Sequence, residues 1–391
     1  MSDAFHKRSD TLTHLAHAWA IAIFCIVAVI LAQGVTSGQA LAQKAEAAKP
    51  LSMKEMQEKV SAASTPKPAW DGPRSGPKGV TGKIVAIIAE DLRNGGILGV
   101  AQGVNEAAKN LKWNVKVFDA GGTPKGRDKA VADALLLKPH GVVLIGASAN
   151  EMAARLKTFT KKSVPVVGWH VGPKAGPMKK GPVAVNISTD PLEVARITAM
   201  AAVTESKGKA GVVIFTDSNF EIAMAKANAM AAVIKACKGC TLLEMRDVAI
   251  SKNAELMPGV TRELLKKYGK RWTHALAIND IYFDYAVPEL TKARLPRDNI
   301  SLLSAGDGSA PAFMRIQAKT FQTGTVAEPL NLHGWQLVDE LNRLMAHQPL
   351  SGYVAPVHII TTKNIGYDGG PEFRYDPDNG YRDVYQRIWK R

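Results

Sequence analysis

Cysteine is scarce in this chain, with only three in 391 residues, and that scarcity excludes a small disulfide-stapled scaffold. There is one CxxC and no second pair to complete a zinc ribbon. The nine histidines are scattered, and no HExxH, Walker A or GxSxG motif occurs. Gly95, Gly96 and Gly99 follow the first apolar run, but their spacing is not GxGxxG and charged residues separate them from the run, so the dinucleotide fingerprint fails. No catalytic residue, metal or cofactor is expected, and the chain is expected not to be an enzyme. Aromatic residues make up only 6%, and the short lysine groups such as Lys161-Lys162 and Lys266-Lys267 are dispersed without an interleaved aromatic platform. The formal net charge of +15 is therefore read as a solvated basic surface rather than a nucleic-acid platform.

A long hydrophobic stretch occurs once, at residues 18–32, AWAIAIFCIVAVILA. It has signal-peptide length, short for a membrane span, and Ala40-Leu41-Ala42 offers small residues for cleavage after Ala42. Residues 1–42 are thus expected to be a cleaved signal peptide, with an uncleaved anchor as the alternative. Cys25 lies inside the run without a lipobox. Cleavage leaves Cys237 and Cys240 in CKGC, where an exported protein is expected to form a disulfide. A redox pair would open a helix, and this one follows a helical pattern. Residues 43–82, rich in Ala, Lys, Pro and Ser, are predicted to be a flexible leader.

From residue 83 the pattern becomes regular. The unbroken apolar run at 84–89 suits a strand covered on both faces; residues 99–111 carry apolar side chains at helical spacing, and 115–118 form a second short strand. This is a β-α-β unit. In parallel sheets ligands sit beyond the carboxyl ends of the strands, here at Asp91, Arg93, Asn94 and the glycines after them. Helices at 126–137 and 150–161 alternate with strands at 141–145, 164–168 and 183–187, and Thr189-Asp190-Pro191 marks a new helix start. The rhythm then restarts from residue 211, which predicts two similar halves. Strand 322–327, helix 332–346 and strand 357–361 are surplus to one half, and are absorbed if the chain crosses between lobes several times at a hinge. The N-terminal lobe is expected to comprise 83–187 plus 329–350, and the C-terminal lobe 188–328 plus 351–391. The tail is predicted to lie on the second lobe, anchored by Tyr381, Tyr385, Ile388 and Trp389.

The ordered motifs IVAIIAEDLRNGG, GVVLIGAS, VPVVGWH, ALAIND, LLSAGDG and TGTVAEP resemble those of the type I, sugar-type periplasmic substrate-binding proteins of ABC importers, the group that includes ribose-binding proteins. The resemblance runs over about residues 83–361, and ALAINDIY and LLSAGDG are its most specific parts. It implies two Rossmann-like α/β lobes with parallel sheets, joined by a multi-crossover hinge. It also places ligand contacts at Asn94, His170, Lys226, Asn279, Asp307 and Glu328. Where ribose binders carry two aromatics after the first strand, this chain has Gly96 and Ile97; an Asp-Arg pair is replaced by His170-Val171, and an Arg by Lys226. Trp169, Phe220 and Tyr282 are candidates for replacement aromatic surface, and Ser148 ends the third strand in a polar loop.

Each residue has a plainer reading. Asp280 and Asp307 suit loop or capping roles, Asn94 suits support of the turn before Gly95-Gly96, and His170 suits a satisfied loop histidine. Lys226 reads as solvated on an exposed helix face, and Trp169 as core. The expected function is capture of a small polar ligand, sugar or sugar-like, between two lobes, with delivery by a periplasmic monomer to an ABC permease in the inner membrane. The alternatives are a receptor for a membrane sensor, or a binder of an anionic or aromatic small molecule. A lac-repressor-type regulator would share the fold but needs a helix-turn-helix where this chain has an export signal.

Overall fold

A computed structural model describes residues 51–66, 69–369 and 372–390. The predicted signal peptide, with Cys25 and its cleavage site, lies outside the described residues, as does the leader before residue 51. Among the described residues no helix is long and apolar enough to cross a membrane.

After helix α1 (Met53–Ala62), the first lobe runs β1 (Ile84–Ala89), α2 (Gly95–Asn110), β2 (Asn114–Asp119), α3 (Pro124–Leu136), β3 (Gly141–Ile145), α4 (Ala149–Thr160), β4 (Val166–Trp169), β5 (Gly176–Pro177) and β6 (Val185–Ile187). The second runs α5 (Pro191–Glu205), β7 (Gly211–Thr216), α6 (Glu221–Ala236), β8 (Thr241–Asp247), α7 (Asn253–Tyr268), β9 (His274–Ala277), α8 (Ile281–Lys292), β10 (Ser301–Ser304), α9 (Ala310–Gln317) and β11 (Gln322–Ala327). Then come α10 (Leu330–Met345), β12 (His358–Thr361), the short α11 (Ile365–Asp368) and α12 (Tyr381–Lys390). The sheets are ordered β2-β1-β3-β4-β6-β5 and β12-β11-β10-β9-β7-β8. Every pairing is parallel except β5 with β6 and β11 with β12. The β5–β6 hairpin had no sequence signal.

β1 shows why these runs become central strands. Val85, Ile87 and Ala89 face one layer of helices while Ala86 and Ile88 face the other, and all five are buried. Helix starts follow local chemistry. Asp190 accepts from Leu192 N at 2.8 Å and Glu193 N at 3.1 Å, just ahead of Pro191, and Thr123 caps α3 through Gly126 N.

The chain leaves the first lobe at residues 188–190, returns at 328–329 into α10, and leaves again before β12. Helix α10 packs on α2 at two glycines: a Cβ on Gly103 would stand 2.7 Å from Asn331 O, and one on Gly334 2.6 Å from Gly103 Cα. Such an approach tolerates no side chain.

Two predictions for the ends are corrected. The tail lies on the second lobe only at its start, where Ile365, Phe373 and Tyr375 pack with Phe313 and Ile360, whereas Tyr381, Tyr385, Ile388 and Trp389 join the first lobe's core, with Trp389 stacked on Trp335 at 5.5 Å. The reason is that α10 is buried on every side, and Asp339 needs the indole N–H of Trp389 (2.8 Å) and the Arg343 guanidinium (2.7 Å). Nor is the leader flexible between 51 and 66 or from 69 onwards. Helix α1 opens with a Ser52–Glu55 capping box and buries Met56 against the second lobe. Trp70 then packs between Tyr353 and Tyr385, and Val80 N binds Asn342 Oδ1 at 2.8 Å. Short apolar residues spaced among prolines gave the segment little core signal of its own; it is ordered because α10 and α5 present faces that it covers.

Candidate functional site

The carboxyl ends of both sheets face one cleft, which encloses a cavity of about 380 Å³. Its lining from the first lobe includes Glu90, Asp91, Asn94, Arg127, Trp169 and His170; from the second come Asp217, Asn219, Phe220, Lys226, Asn279 and Asp307.

On the first-lobe side Asn94 caps α2, accepting from Gly96 N at 2.9 Å, and is still buried at the wall of the cavity. One position thus both caps the helix and lines the cavity. Trp169 ends β4 and stacks on His170, with centroids 3.6 Å apart and planes 8° from parallel. His170 has φ +52°, a left-handed conformation unusual for histidine, and this turns its ring across the seam. There its Nε2 meets Glu328 Oε1 at 2.7 Å, and Nδ1 lies 3.9 Å from Asp307 Oδ1.

From the second lobe, Asn279 Nδ2 donates to Asp307 Oδ2 while its Oδ1 accepts from Ile281 N at 3.0 Å. Asp280 has the loop role: its side chain makes no cap bond to α8, and its carboxylate accepts from Gly308 N (2.8 Å) and Ser309 N (3.0 Å), fixing the loop that carries Asp307. Lys226 is not solvated, as its helical position suggested. It is buried, donates to Ala305 O at 2.8 Å and lies 4.0 Å from Glu328 Oε1. The α6 face that carries it turns inward because Ala223, Ala227 and Met230 form the core stripe beside it.

Glu328 sits where the chain crosses back between the lobes. Burial alone would raise its pKa, but His170, Lys226 and His333 more than offset this and hold it down at about 2. It also accepts from Thr189 N at 3.4 Å, so two crossovers are tied through one carboxylate. His333 accepts the Trp169 indole N–H at Nδ1 (3.1 Å), and burial lowers its pKa to about 4, so its 3.3 Å approach to Glu328 is a contact of a neutral ring. Asp307 is pushed the other way, to about 6, chiefly by burial. His170, Asp307 and Glu328 offer oxygen and nitrogen atoms within 4.8 Å of one another. They suit a metal poorly. The imidazole presents different nitrogens to the two carboxylates, and the Lys226 ammonium already occupies the neighbourhood of Glu328.

Three candidates stand apart. Tyr282 does not offer aromatic surface to the cleft: it is fully buried, bonds Val248 O at 2.9 Å and stacks near Phe215, because the first turn of α8 faces the sheet. Ser148 caps α4 through Glu151 N and lines only a small adjoining recess with His170 and Phe220. Glu328 lies behind the cavity wall rather than on it. Phe220 lines the cavity at the start of α6.

Sequence reading missed two groups. Arg127 grips Glu90 from α3, with Nε 2.8 Å from Oε2, and also reaches Glu151. No strand-end rule points to a helix residue. Asp217 and Asn219 were discoverable, since they follow β7 just as Asn94 follows β1. Asp217 accepts from Asn219 N at 3.0 Å and Ile250 N at 2.8 Å and is buried at the cavity wall that it shares with Arg127.

Two sheet-centred lobes, several crossovers and a polar cavity between facing strand ends define a protein that traps a small molecule by lobe closure. Residues 85–349 match the periplasmic binding protein domain family, and the chain belongs to that family. Among solved structures it is similar to the 5-methylthioribose transporter solute-binding protein of Thermotoga lettingae, at 14% identity and TM-score 0.65, covering 81% of this chain and 99% of that one. It is also similar to a Caulobacter myo-inositol-binding protein (17%, TM-score 0.64, 74% and 96% covered). An Agrobacterium vitis ABC transporter solute-binding protein with bound allitol matches at 18%, TM-score 0.63, covering 73% and 98%. A comparison of the sequence with curated proteins finds no match.

Proposed function

We propose that this chain is an exported periplasmic protein that captures a neutral sugar or polyol between its lobes and hands it, unaltered, to an ABC permease. The observation that carries the reading is a cavity lined from both lobes by carboxylates and amides, including Asn94 on one side and Asn279 and Asp307 on the other. Such planar acceptors and donors fix hydroxyl groups at set angles, and lobe closure removes competing water. The charge balance argues against an anion. Glu90, Asp91, Glu151, Asp217 and Asp307 line the cavity against Arg127 and Lys226, and the latter two already serve Glu90, Glu151 and Glu328. The ligands bound by similar proteins, among them allitol, myo-inositol and 5-methylthioribose, are uncharged and polyhydroxylated.

Export after Ala42 would place Cys237 and Cys240 in an oxidising compartment, and their Cα atoms are 5.3 Å apart, a span that a disulfide bridges. Glu328 acts from behind the wall, and Lys226 and Trp169 from within it, to hold His170 and the crossover in place. A thermal-shift and calorimetric screen of neutral polyols, furanoses, sugar acids and aromatic acids tests the reading. A neutral polyol should raise Tm, and Asn279→Ala and Asp307→Ala should each weaken its binding. Stabilisation by acids alone, turnover of any ligand, or unchanged affinity in both variants would overturn it. Amino-terminal sequencing of the secreted protein tests the cleavage site, and crosslinking to inner-membrane proteins separates a permease partner from a sensor.

A further inference from the structure

In a parallel sheet the helix-to-strand turns gather at the amino ends of the strands, the pole opposite the cleft. On the first lobe the order β2-β1-β3-β4 makes three such turns and the segment entering β1 neighbours, with adjacent strands about 4.8 Å apart. Backbone bonds stitch them together: Gly82 N to Leu111 O at 3.2 Å, His140 N to Ile84 O at 2.7 Å, and Val142 N to Pro165 O at 2.9 Å. These turns carry Lys83, Lys112, Lys138, Lys161 and Lys162 and no acid, and the last four lysines are exposed. Acids on the flanking helices are engaged elsewhere, Asp133 with Lys129, Asp128 with Arg155 and Glu106 with Arg382.

Favourable interaction with a helix carboxyl terminus explains a lysine in the last turn, such as Lys109. Lys112 and Lys138 stand just past their helix ends at φ +53° and +48°, where glycine would be unstrained, as Lys207, Arg294 and Lys319 do on the other lobe. The chain accepts strain there and keeps charge. Leu136, in the last turn of α3 two residues before Lys138, is 81% exposed. An apolar side chain set among cations matches a surface whose charged heads overlie hydrocarbon. A soluble polyanion would have no use for it.

We propose that this pole docks on an anionic phospholipid surface, with the lysines on headgroup phosphates and Leu136 at the acyl boundary. The cleft, at the other end of the same strands, stays open to ligand.

The test is flotation of the full secreted protein with phosphatidylcholine vesicles, with and without about one third phosphatidylglycerol, across a range of salt. Binding should require phosphatidylglycerol and weaken as salt rises. Lys112→Gly with Lys138→Gly should lower partitioning roughly 25-fold, about fivefold per lysine, while Tm holds or rises as strain is relieved. Leu136→Ser should lower it about tenfold at unchanged Tm. Lys207→Gly with Lys319→Gly, which removes equal charge from left-handed positions (φ +52° each) on the other lobe, should leave partitioning within about twofold of the parent. Absence of lipid-dependent binding, an equal loss in that control pair, or binding lost only together with Tm would overturn the proposal.

Discussion

Gly96 offers the sharpest perturbation of lobe closure. It lies in the first turn of α2, and a methyl group built on it would stand 2.5 Å from the Cβ of Asp307 on the opposite lobe. Carbon atoms settle at about 3.5–4.0 Å, so Gly96→Ala must push the lobes apart by roughly 1 Å or swing Asp307 off Asn279. Overpacking of this kind costs about 1–3 kcal/mol, and the cost falls only on the closed form. The open form has no such contact, and alanine favours helix over glycine by up to about 1 kcal/mol. The unliganded variant should therefore be as stable as the parent or slightly more so, while ligand affinity drops about 5- to 150-fold. A ligand at about one hundred times Kd stabilises the parent by about 2.7 kcal/mol; with thirtyfold weaker binding the gain shrinks below about 1 kcal/mol. Titration calorimetry and ligand-dependent thermal shifts read both quantities. Unchanged affinity would refute closure of Asp307 onto the α2 amino terminus.

Four further perturbations test the buried charges and the added segments. Asp307 has its folded pKa raised from 3.8 to about 6, so it brings no penalty below about pH 4 and destabilises increasingly as pH rises through 6, by at most about 3 kcal/mol. Asp307→Asn should gain stability relative to the parent over that rise, and a flat difference in denaturation midpoints would count against it. Glu328 has the opposite sign: held down near 2, it contributes stability above about pH 4.5 that is lost as pH falls towards 2, so the deficit of Glu328→Gln should close over that range. Lys226→Met leaves that buried carboxylate short of a cation, and urea titration should show a loss of about 3 kcal/mol, at the low end for a broken buried pair because the separation is 4.0 Å. Trp70→Ala should cost about 3–4 kcal/mol, since the ring is buried between Tyr353 and Tyr385; a loss under about 1 kcal/mol would mean the leader is not part of the core.

The sequence by itself determined the parallel halves and the ends of their strands. Unbroken apolar runs such as residues 84–89 admit few partners other than helices on both faces, and Asp190-Pro191 can only start a helix. It also brought Asn94 and His170 to attention as residues that follow a strand, while Asn279 and Asp307 came from the resemblance carried by ALAIND and LLSAGDG. Tertiary structure decided what lay on helices and in the terminal segments. Whether Lys226 meets water or Glu328 depends on which way α6 rolls, and Tyr282 was lost to the core through the same freedom in α8. Arg127 enters the cleft only because α3 sets it beside Glu90, thirty-seven positions earlier. The leader and tail carried too little apolar pattern to be placed in advance. Their order comes from α10, whose buried Asn342 and Arg343 find partners more than two hundred and fifty positions away in Val80 N and Ser75 O, and whose Asp339 finds Trp389 on the other side. Local pattern fixes which face an element hides, but pairing over such distances is settled only when the faces meet.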